Sequence, residues 1–399
     1  MAQATSRGIT FINAALSVPI VDAAATSVRV VGSRISAVGC DPQPADLVID
    51  LRGGRLLPGL INAHDHLQLN SFPQPEHRRQ HSNVRQWIAE VNDRLRSDHA
   101  FRSVAGVPRE HRLLHGGLKN LLSGVTTVAH HDPLYRTLSG TSFPVRVVTH
   151  YGWSHSLGID GETRARRSYE STQPDWPWII HAAEGIDAEA LAEFGRLDSL
   201  NCITGNTLLV HGVALGRAQR ERLVDAHAGL IWCPASNLNL FGKSADVADL
   251  VACGRVALGT DSRLSGARDL LSELRVARDI GGLDDATLES LVTASSARLL
   301  RTADRGALRV GALADLLVLP RSLALTSAVR GDIRMVMIGG RMRHGDLDLA
   351  RAIAPASEWL EVTVDGRHKV LDRGLVESLS RAAVHEPGFE LPESAWRAA

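Results

Sequence analysis

Two histidines separated by one residue give the strongest chemical signal in the sequence. His64 and His66 follow an apolar run in the segment PGLINAHDH, residues 58–66. Because residues two apart on a β-strand face the same side, both imidazoles could bind one metal ion. A pair of satisfied surface histidines is the alternative interpretation of this motif on its own.

Three further ligand-type residues each stand just after an apolar run. They are His181 after WII, His211 after LLV and Asp261 after ALGT. From these five residues, three histidines and the carboxylate could bind Zn²⁺ or Fe²⁺, with one position left open for water. The repetition of this pattern favours a metal site over chance.

A carboxylate follows one of these positions closely. Glu184 lies three residues after His181 in the segment HAAEG. In a loop after a ligand-bearing strand it could reach a substrate without joining the metal ligands, which predicts a general acid. The alternative is an acidic residue that favours the dipole of the following helix.

Four other side chains are candidates for contact with a substrate. Gln68 could hydrogen bond to a heterocycle, and His131 or its neighbour His130 could face the pocket. Trp153 could form part of an aromatic wall for a flat ring, and Asn237 could bind substrate. Structural amides, a buried or surface histidine and ordinary loop packing are the alternatives.

From residue 57 onward, short apolar runs alternate with stretches of helical spacing, which is typical of buried parallel strands joined by helices. The predicted strands are 57–61, 124–129, 145–149, 178–180, 207–210, 229–232 and 255–258. The predicted helices are 109–122, 187–197, 217–226 and 268–278. This pattern predicts a distorted (β/α)8 TIM barrel, with the eighth strand cryptic in, or missing from, the segment between residues 151 and 177.

The two ends of the chain have a different sequence pattern from the central region. Residues 8–56 predict short antiparallel strands, and the segments GALADLLVLP at 311–320 and MVMIGGRMR at 335–343 return to strand and turn. The predicted fold class is therefore α/β, a barrel of residues 57–304 beside a small β-sandwich domain formed by residues 1–56 and 305–355. A tail of residues 356–399 with one helix, 370–383, completes the division.

Composition excludes several classes of protein. The 399 residues contain 44 Lys+Arg and 44 Asp+Glu, so the formal net charge is zero, which argues against partners such as nucleic acid or a membrane surface. The four cysteines show no C-x-x-C spacing, which favours a reducing compartment. With no signal peptide or membrane span in the sequence, we expect a cytoplasmic location.

The combined motifs resemble those of the amidohydrolase superfamily, and within it the cytosine-deaminase-like and chlorohydrolase-like metal-dependent deaminases. The motifs are PGLINAHDH, GVTTVAHHD at 124–132, HAAE, VHGVAL, CPASNLNL, LGTDS and GALADLLVL. The resemblance implies a distorted barrel with a terminal β-sandwich and one catalytic divalent ion. It also implies hydrolysis of a small molecule at a carbon bonded to nitrogen, and relatives of this kind commonly form homodimers.

Carried over residue by residue, the resemblance implies four metal ligands: His64, His66, His181 and Asp261. Asp261 would also accept a proton from metal-bound water, which gives the hydroxide that attacks the substrate. Glu184 would carry a proton to the ring nitrogen and then to the departing ammonia. His211 would stabilise the hydroxide and the tetrahedral centre by hydrogen bonding.

The positions of the lysines favour a single ion. Two-metal members of the superfamily bridge their ions through a carboxylated lysine on a barrel strand. Here Lys119 lies in a predicted helix, Lys243 in a loop and Lys369 in the tail. We therefore expect one divalent metal ion, Zn²⁺ first and Fe²⁺ as the alternative.

The predicted reaction is release of ammonia from an amino-substituted nitrogen heterocycle. Two alternatives stay open. The same metal centre could open a cyclic amide, as in imidazolonepropionase-like relatives, or expel another leaving group. A metal-free binding protein that retains the fold is the third hypothesis.

Overall fold

The computed structural model describes residues 7–17, 25–76, 80–140 and 142–392. The ends of the predicted domain ranges, residues 1–6 and 393–399, and residues 18–24 lie outside this part. The strands are β1 Ile9–Ile12, β2 Ala15–Leu16, β3 Val28–Val31, β4 Arg34–Val38, β5 Leu47–Asp50, β6 Arg55–Pro58, β7 Leu60–Asp65, β8 Val125–His130, β9 Arg146–Val147, β10 Gly152–Ser154, β11 Trp178–Ala182, β12 Thr207–His211, β13 Gly229–Trp232, β14 Val256–Leu258, β15 Leu316–Leu319, β16 Met335–Ile338, β17 Arg341–Gly345, β18 Trp359–Val364, β19 Arg367–Asp372 and β20 Phe389–Glu390.

The helices occupy mainly the connections between the strands of the central region. They are α1 Val84–Ser97, α2 His99–Ala105, α3 Arg109–Leu122, α4 Leu157–Asp160, α5 Glu162–Ser171, α6 Ala188–Ser199, α7 Arg217–Asp225, α8 Pro234–Phe241, α9 Ala248–Ala252, α10 Leu270–Gly281, α11 Asp285–Leu291, α12 Ala294–Leu299, α13 Leu347–Ile353 and α14 Arg373–Arg381. None of these helices has the length and apolar character needed to cross a bilayer.

Two parallel sheets form the centre of the molecule. One has the order β7-β8-β9 and the other the order β10-β11-β12-β13-β14. The outer strands β14 and β7 approach each other where the backbone N–H of Thr260 donates to the carbonyl oxygen of His64 at 3.0 Å. Because parallel strands end at the same edge, the residues that follow β7, β11, β12 and β14 gather on one side of the molecule.

Several sequence predictions are confirmed in this region. The helix predicted at 109–122 is α3, with the same bounds. The strand missing from the predicted set is β10, which pairs in parallel with β11 through Gly152 and Trp178. Three residues are too few to show a period, which is why the sequence left this strand open.

The strand predicted at 57–61 is wrong as a single element. It divides at Gly59: β6 pairs antiparallel with β15, whereas β7 begins the parallel sheet. A Cβ atom at Gly59 would lie 2.3 Å from side-chain atoms of Thr126, so a larger residue does not fit at this crossing. The apolar run is continuous in the sequence because both halves are buried.

The chain ends build two further sheets with a shared core. One has the order β4-β3-β1-β5 and the other the order β2-β6-β15-β16-β17-β19-β18-β20. Phe11 and Val30 of the first sheet belong to one buried cluster with Leu316 and Met337 of the second. The N-terminal sheet is not purely antiparallel as predicted, because β5 returns beside β1 in parallel.

The predicted tail helix 370–383 begins three residues later than expected. Residues 367–372 form β19, which pairs with β18 and β17, and α14 starts at Arg373. The side chain of Asp372 caps the helix by accepting from the backbone N–H of Leu375. Strands β18 and β19 therefore extend the eight-stranded sheet, while the predicted division into domains stays a prediction.

Candidate metal and active site

The four candidate ligands, from three strand ends, come together in a buried cluster. The Nε2 atom of His181 lies 3.3 Å from the Nε2 atoms of both His64 and His66. The Oδ1 atom of Asp261 lies 3.7 Å and 3.8 Å from those same atoms of His64 and His66. Two overlapping groups have the spacing to hold a metal ion: His64 with His66 and Asp261, and His64 with His181 and His211.

The backbone at this edge is unusual at three non-glycine residues. Ala183, His211 and Asp261 have positive φ angles of 52°, 74° and 52°. Such conformations cost about 1–3 kcal/mol each and persist only where the surrounding structure imposes them. Their concentration beside the donor cluster is typical of a functional site.

The hydrogen bonds of two histidines fix which ring nitrogen carries a proton. The Nδ1 atom of His66 lies 2.8 Å from Oδ2 of Asp132, and Nδ1 of His181 lies 2.6 Å from the carbonyl oxygen of His155. Both partners are acceptors, so each ring donates from Nδ1. The neutral ring then presents the lone pair of Nε2 to the cluster.

The same result follows for His64 through its neighbour His131. The Nε2 atom of His131 donates to the carbonyl oxygen of Ser154 at 2.8 Å, which leaves its Nδ1 as an acceptor. Nδ1 of His64, 3.2 Å away, donates to it, so Nε2 of His64 also carries a lone pair. Three lone pairs that face one another repel unless a positive charge lies among them.

The electrostatics favour a positive charge at this point. Burial opposes a charge on His66, but the hydrogen bond to Asp132 and the nearby carboxylates raise its pKa to about 9. Burial lowers the pKa of His64 and that of His181. His64 and His181 are thus kept neutral, which is the form that binds a metal ion, and His66 holds a proton that such an ion would displace.

Asp261 completes the cluster as a carboxylate. Burial alone would raise its pKa, but the adjacent imidazoles of His64, His66 and His211 bring it below its usual range. Its Oδ2 atom accepts from the hydroxyls of Ser236 at 2.8 Å and Ser265 at 2.5 Å, which leaves Oδ1 facing the histidines. Three imidazole nitrogens and one carboxylate oxygen fit Zn²⁺ or Fe²⁺.

Glu184 and His211 lie next to the cluster and contact each other. The Oε1 atom of Glu184 lies 3.5 Å from Nε2 of His211. Burial, with Asp261 and Glu193 nearby, raises the pKa of Glu184 well above its ordinary value, which favours the protonated carboxyl group. Burial lowers the pKa of His211 to about 4, and its Nδ1 atom lies 2.9 Å from Oδ1 of Asn237.

A cavity of about 180 Å³ opens over these residues. Its lining combines polar groups, among them His66, His181, Asp261 and Glu184, with apolar side chains such as Trp87 of α1. The lining residues are His66, Gln68, Leu69, Val84, Trp87, Ile88, Asp132, His155, Ser156, Ile159, His181, Glu184, His211 and Asp261. A cavity lined by both kinds of side chain suits a flat, polar heterocycle.

The four predicted substrate contacts differ in their placement. Gln68 lines the cavity: its Nε2 donates to Asp132 at 2.6 Å, and its buried Oε1 has no partner among the described residues. His131 stacks on His181 with ring centroids 4.4 Å apart, and Trp153 meets His131 edge-on at 5.5 Å. His131, Trp153 and Asn237 are not among the residues that line the cavity. His131 packs on His181 and Asn237 binds His211, so they support lining residues instead.

Two features of the site were missed in the sequence. Asp132 holds His66 and Gln68, and its position at the end of the motif GVTTVAHHD, beside His131, was a signal that could have revealed it. Trp87 covers the cavity from α1, a helix with no fully buried residue. Nothing in the local pattern of α1 indicates which part of the molecule its apolar face covers.

Lys119 lies behind the donor cluster. Its buried Nζ atom contacts Oδ1 of Asn70 at 2.7 Å, Oγ1 of Thr260 at 3.2 Å and Oδ2 of Asp65 at 3.3 Å. The prediction that this lysine lies in a helix is confirmed. Its amino group is engaged with groups on the far side of β7, so it does not bridge the donors.

Comparison with known proteins gives a consistent result. Residues 170–343 match the model of the amidohydrolase family. The chain is 32% identical over 183 residues to the 5-methylthioadenosine/S-adenosylhomocysteine deaminase of Haloarcula marismortui, covering 41% of this chain and 42% of that protein. It is 33% identical over 208 residues to the 8-oxoguanine deaminase of Pseudomonas aeruginosa, covering 44% and 46%. The alignments thus span less than half of these relatives.

Solved structures share the fold over a greater length. An adenosine deaminase from Xanthomonas campestris with bound zinc superposes with a TM-score of 0.69 at 19% identity, covering 87% of this chain and 96% of that one. The atrazine chlorohydrolase of Arthrobacter aurescens, complexed with zinc, gives 0.66 at 19% identity and covers 84% and 94%. At this identity the likeness establishes the α/β fold with its parallel sheets.

Proposed function

We propose that this chain, whose residues 170–343 match the amidohydrolase family, is a metal-dependent aminohydrolase. Its substrate would be an amino-substituted nitrogen heterocycle that loses the amino group as ammonia. The observation that carries the proposal is the convergence of three imidazole Nε2 atoms and one carboxylate close to the buried Glu184. The deaminase names of two relatives support the choice of reaction.

One divalent ion would be held by four side chains: His64, His66, His181 and Asp261. Zn²⁺ is the first choice, supported by zinc in two proteins of the same fold, and Fe²⁺ is the alternative that the ligand types allow. When bound, such an ion lowers the pKa of a water towards neutrality. The engagement of Lys119 with Asp65 supports one ion rather than a bridged pair.

The chain's own residues would move the protons. Asp261, ionised in the cluster, would accept a proton from the attacking water. Glu184, whose protonated form is favoured by burial, would donate its proton to the ring nitrogen of the substrate. It would then take the proton of the new hydroxyl on the tetrahedral carbon and pass it to the amino group, which leaves as ammonia. The proton held by Asp261 would restore Glu184. Nδ1 of His211 donates to Oδ1 of Asn237, so Nε2 of the neutral ring carries a lone pair. Nε2 would accept from the attacking water and orient it, and it would hold the tetrahedral centre by accepting from its new hydroxyl.

We further infer that the two parallel sheets form one distorted (β/α)8 barrel and the two terminal sheets a β-sandwich. The inference is supported by the approach of β14 to β7 and by the shared core of the terminal sheets. The cytoplasm is the proposed compartment, in keeping with the free thiols of Cys40, Cys202, Cys233 and Cys253. A homodimer stays a prediction.

Incubation of zinc-loaded protein with a panel of aminated purines, pyrimidines and triazines tests the proposed reaction. We expect ammonia release with the ring intact for at least one member of the panel, measured by an ammonia assay and mass spectrometry of the product. The variant Glu184→Gln serves as the inactive control. Uptake of water without ammonia from a panel of cyclic amides would instead show ring opening, and inactivity on both panels would contradict the proposal.

A further inference from the structure

The segment after α14 contains a buried carboxylate, Glu386, to which the sequence assigned no role. Its side chain is fully buried. Its oxygens accept from Nε2 of His115 at 2.7 Å, from Nη2 of Arg263 at 2.8 and 2.9 Å, and from Nη1 of Arg330 at 2.6 Å. A single carboxylate therefore joins three distant parts of the chain.

The partners of Glu386 depend on it to different degrees. Arg330 also pairs with Asp365 at 2.6 Å and donates to the carbonyl oxygen of Pro387 at 2.7 Å. Arg263 has Glu386 as its only charged partner in the part of the chain that the structure describes, and its Nε atom is buried without a hydrogen bond there. Loss of the Glu386 charge would therefore act more on Arg263 than on Arg330.

Arg263 belongs to the loop that holds the candidate ligand Asp261. Ser265, two residues further on, donates its hydroxyl to Oδ2 of Asp261 at 2.5 Å. The backbone N–H of Arg263 donates to Oδ1 of Asn70 at 2.9 Å, and Nδ2 of Asn70 donates to Oδ1 of Asp65 at 2.7 Å. The loop thus contacts Asp261 directly and, through Asn70, is linked to Asp65, the residue between His64 and His66.

We propose that Glu386 is a positioning residue for the metal centre, because it fixes Arg263 and with it the loop that orients Asp261. The inference rests on the proposed function, since it takes the histidines and Asp261 as ligands of an ion. A loosened loop would weaken metal binding and lower kcat. The substrate KM would change little, because neither Glu386 nor Arg263 is among the residues that line the cavity.

Cobalt binding by the full chain tests this inference without a substrate. Co²⁺ is titrated into metal-free wild type, Glu386→Gln and Asp365→Asn, each verified as folded by circular dichroism, and its visible absorption is followed. We expect Glu386→Gln to weaken Co²⁺ binding roughly 10–100-fold, the range for residues that orient metal ligands, and to alter the absorption bands. Asp365→Asn removes a carboxylate from the same cluster without touching Arg263, and it should match the wild type.

Arg263→Gln is the second variant, and it carries the test alone if Glu386→Gln does not fold. We expect the same weakening from it, and little additional weakening in the double variant because both residues act through one contact. Wild-type affinity and bands in Glu386→Gln, or in Arg263→Gln if only that variant folds, would overturn the inference. Equal weakening in Asp365→Asn would overturn it as well. A wild type that binds no Co²⁺ would contradict the proposed metal centre itself, which is a different result.

Discussion

The two sides of strand β7 carry polar groups that are satisfied in different ways. On the cavity side, the Nε2 atoms of His64 and His66 each lie 3.3 Å from that of His181. On the other side, the carboxylate of Asp65 accepts from Lys119 and also from Nδ2 of Asn120 at 2.8 Å. The first cluster holds a positive charge only as a proton on His66, which a metal ion would displace, whereas the second contains the permanent cation of Lys119.

The two sides of β7 therefore have different roles: the cavity side binds a ligand, and the far side holds the strand in place. A buried polar cluster that satisfies all its members needs nothing further and can hold the strand in one position. A buried cluster whose acceptors face one another is stable only with a cation. Changes on the cavity side should therefore remove function without unfolding the protein, and changes on the far side should unfold it.

The largest expected effect concerns Glu184 on the cavity side. Glu184→Gln keeps the shape but removes the transferable proton, so we expect kcat to fall by roughly 10²–10⁴-fold. Metal content and the free energy of unfolding should stay close to wild type. Steady-state kinetics on the substrate found by the ammonia assay measure the effect, with the exposed Glu189→Gln as control. Full activity in Glu184→Gln would remove this residue from the mechanism.

The far side is tested by Lys119→Met. The change leaves the carboxylate of Asp65 buried without its cation, so we expect the free energy of unfolding to fall by about 3–5 kcal/mol, measured by urea denaturation. The double variant Lys119→Met with Asp65→Asn should recover much of this loss. Lys369→Met is the matched control, a buried lysine paired with Asp346 away from the site, and it should leave metal affinity unchanged. Unchanged stability of Lys119→Met would break the contrast.

A smaller effect is expected where the cavity side is held from behind by Asp132. Asp132→Asn weakens the hydrogen bond that orients His66, so we expect metal affinity to fall roughly 10–100-fold with little change in stability. Asp160→Asn alters a nearby buried carboxylate that contacts His155 rather than His66 and serves as control. Competition with a chelator measures both variants, and equal affinities would show that His66 needs no such support.

The smallest effect is a pH dependence at Glu193, which accepts from the backbone N–H of Ala183 at 2.9 Å. Burial raises the pKa of Glu193 to about 7. At pH values between the ordinary pKa of 4.5 and about 7, the folded state therefore binds more protons than the unfolded state. The contribution of Glu193 to stability is lost as the pH rises through 7. Glu193→Gln should lose less stability between pH 5 and pH 8, by on the order of 1 kcal/mol, and parallel stability curves would contradict this.

Local signals in the sequence were sufficient to predict the candidate ligands and much of the framework. Strand-end residues such as His181 follow apolar runs directly, and helix α3 lies where its spacing predicted. Strand β10 was missed because it has only three residues. The pair of Arg263 and Glu386 was missed for another reason: its members stand 123 positions apart, and a contact between distant residues leaves no period in one sequence.

Elemental analysis of protein purified without added metal, with wild type and Asp261→Asn compared side by side, tests the central claim most directly. We expect about one equivalent of zinc or iron in the wild type and clearly less in the variant, because Asp261 supplies the single carboxylate of the donor set. Two equivalents would contradict the single-ion centre. No metal in either protein, even after reconstitution with Zn²⁺ or Fe²⁺, would contradict the metal centre altogether.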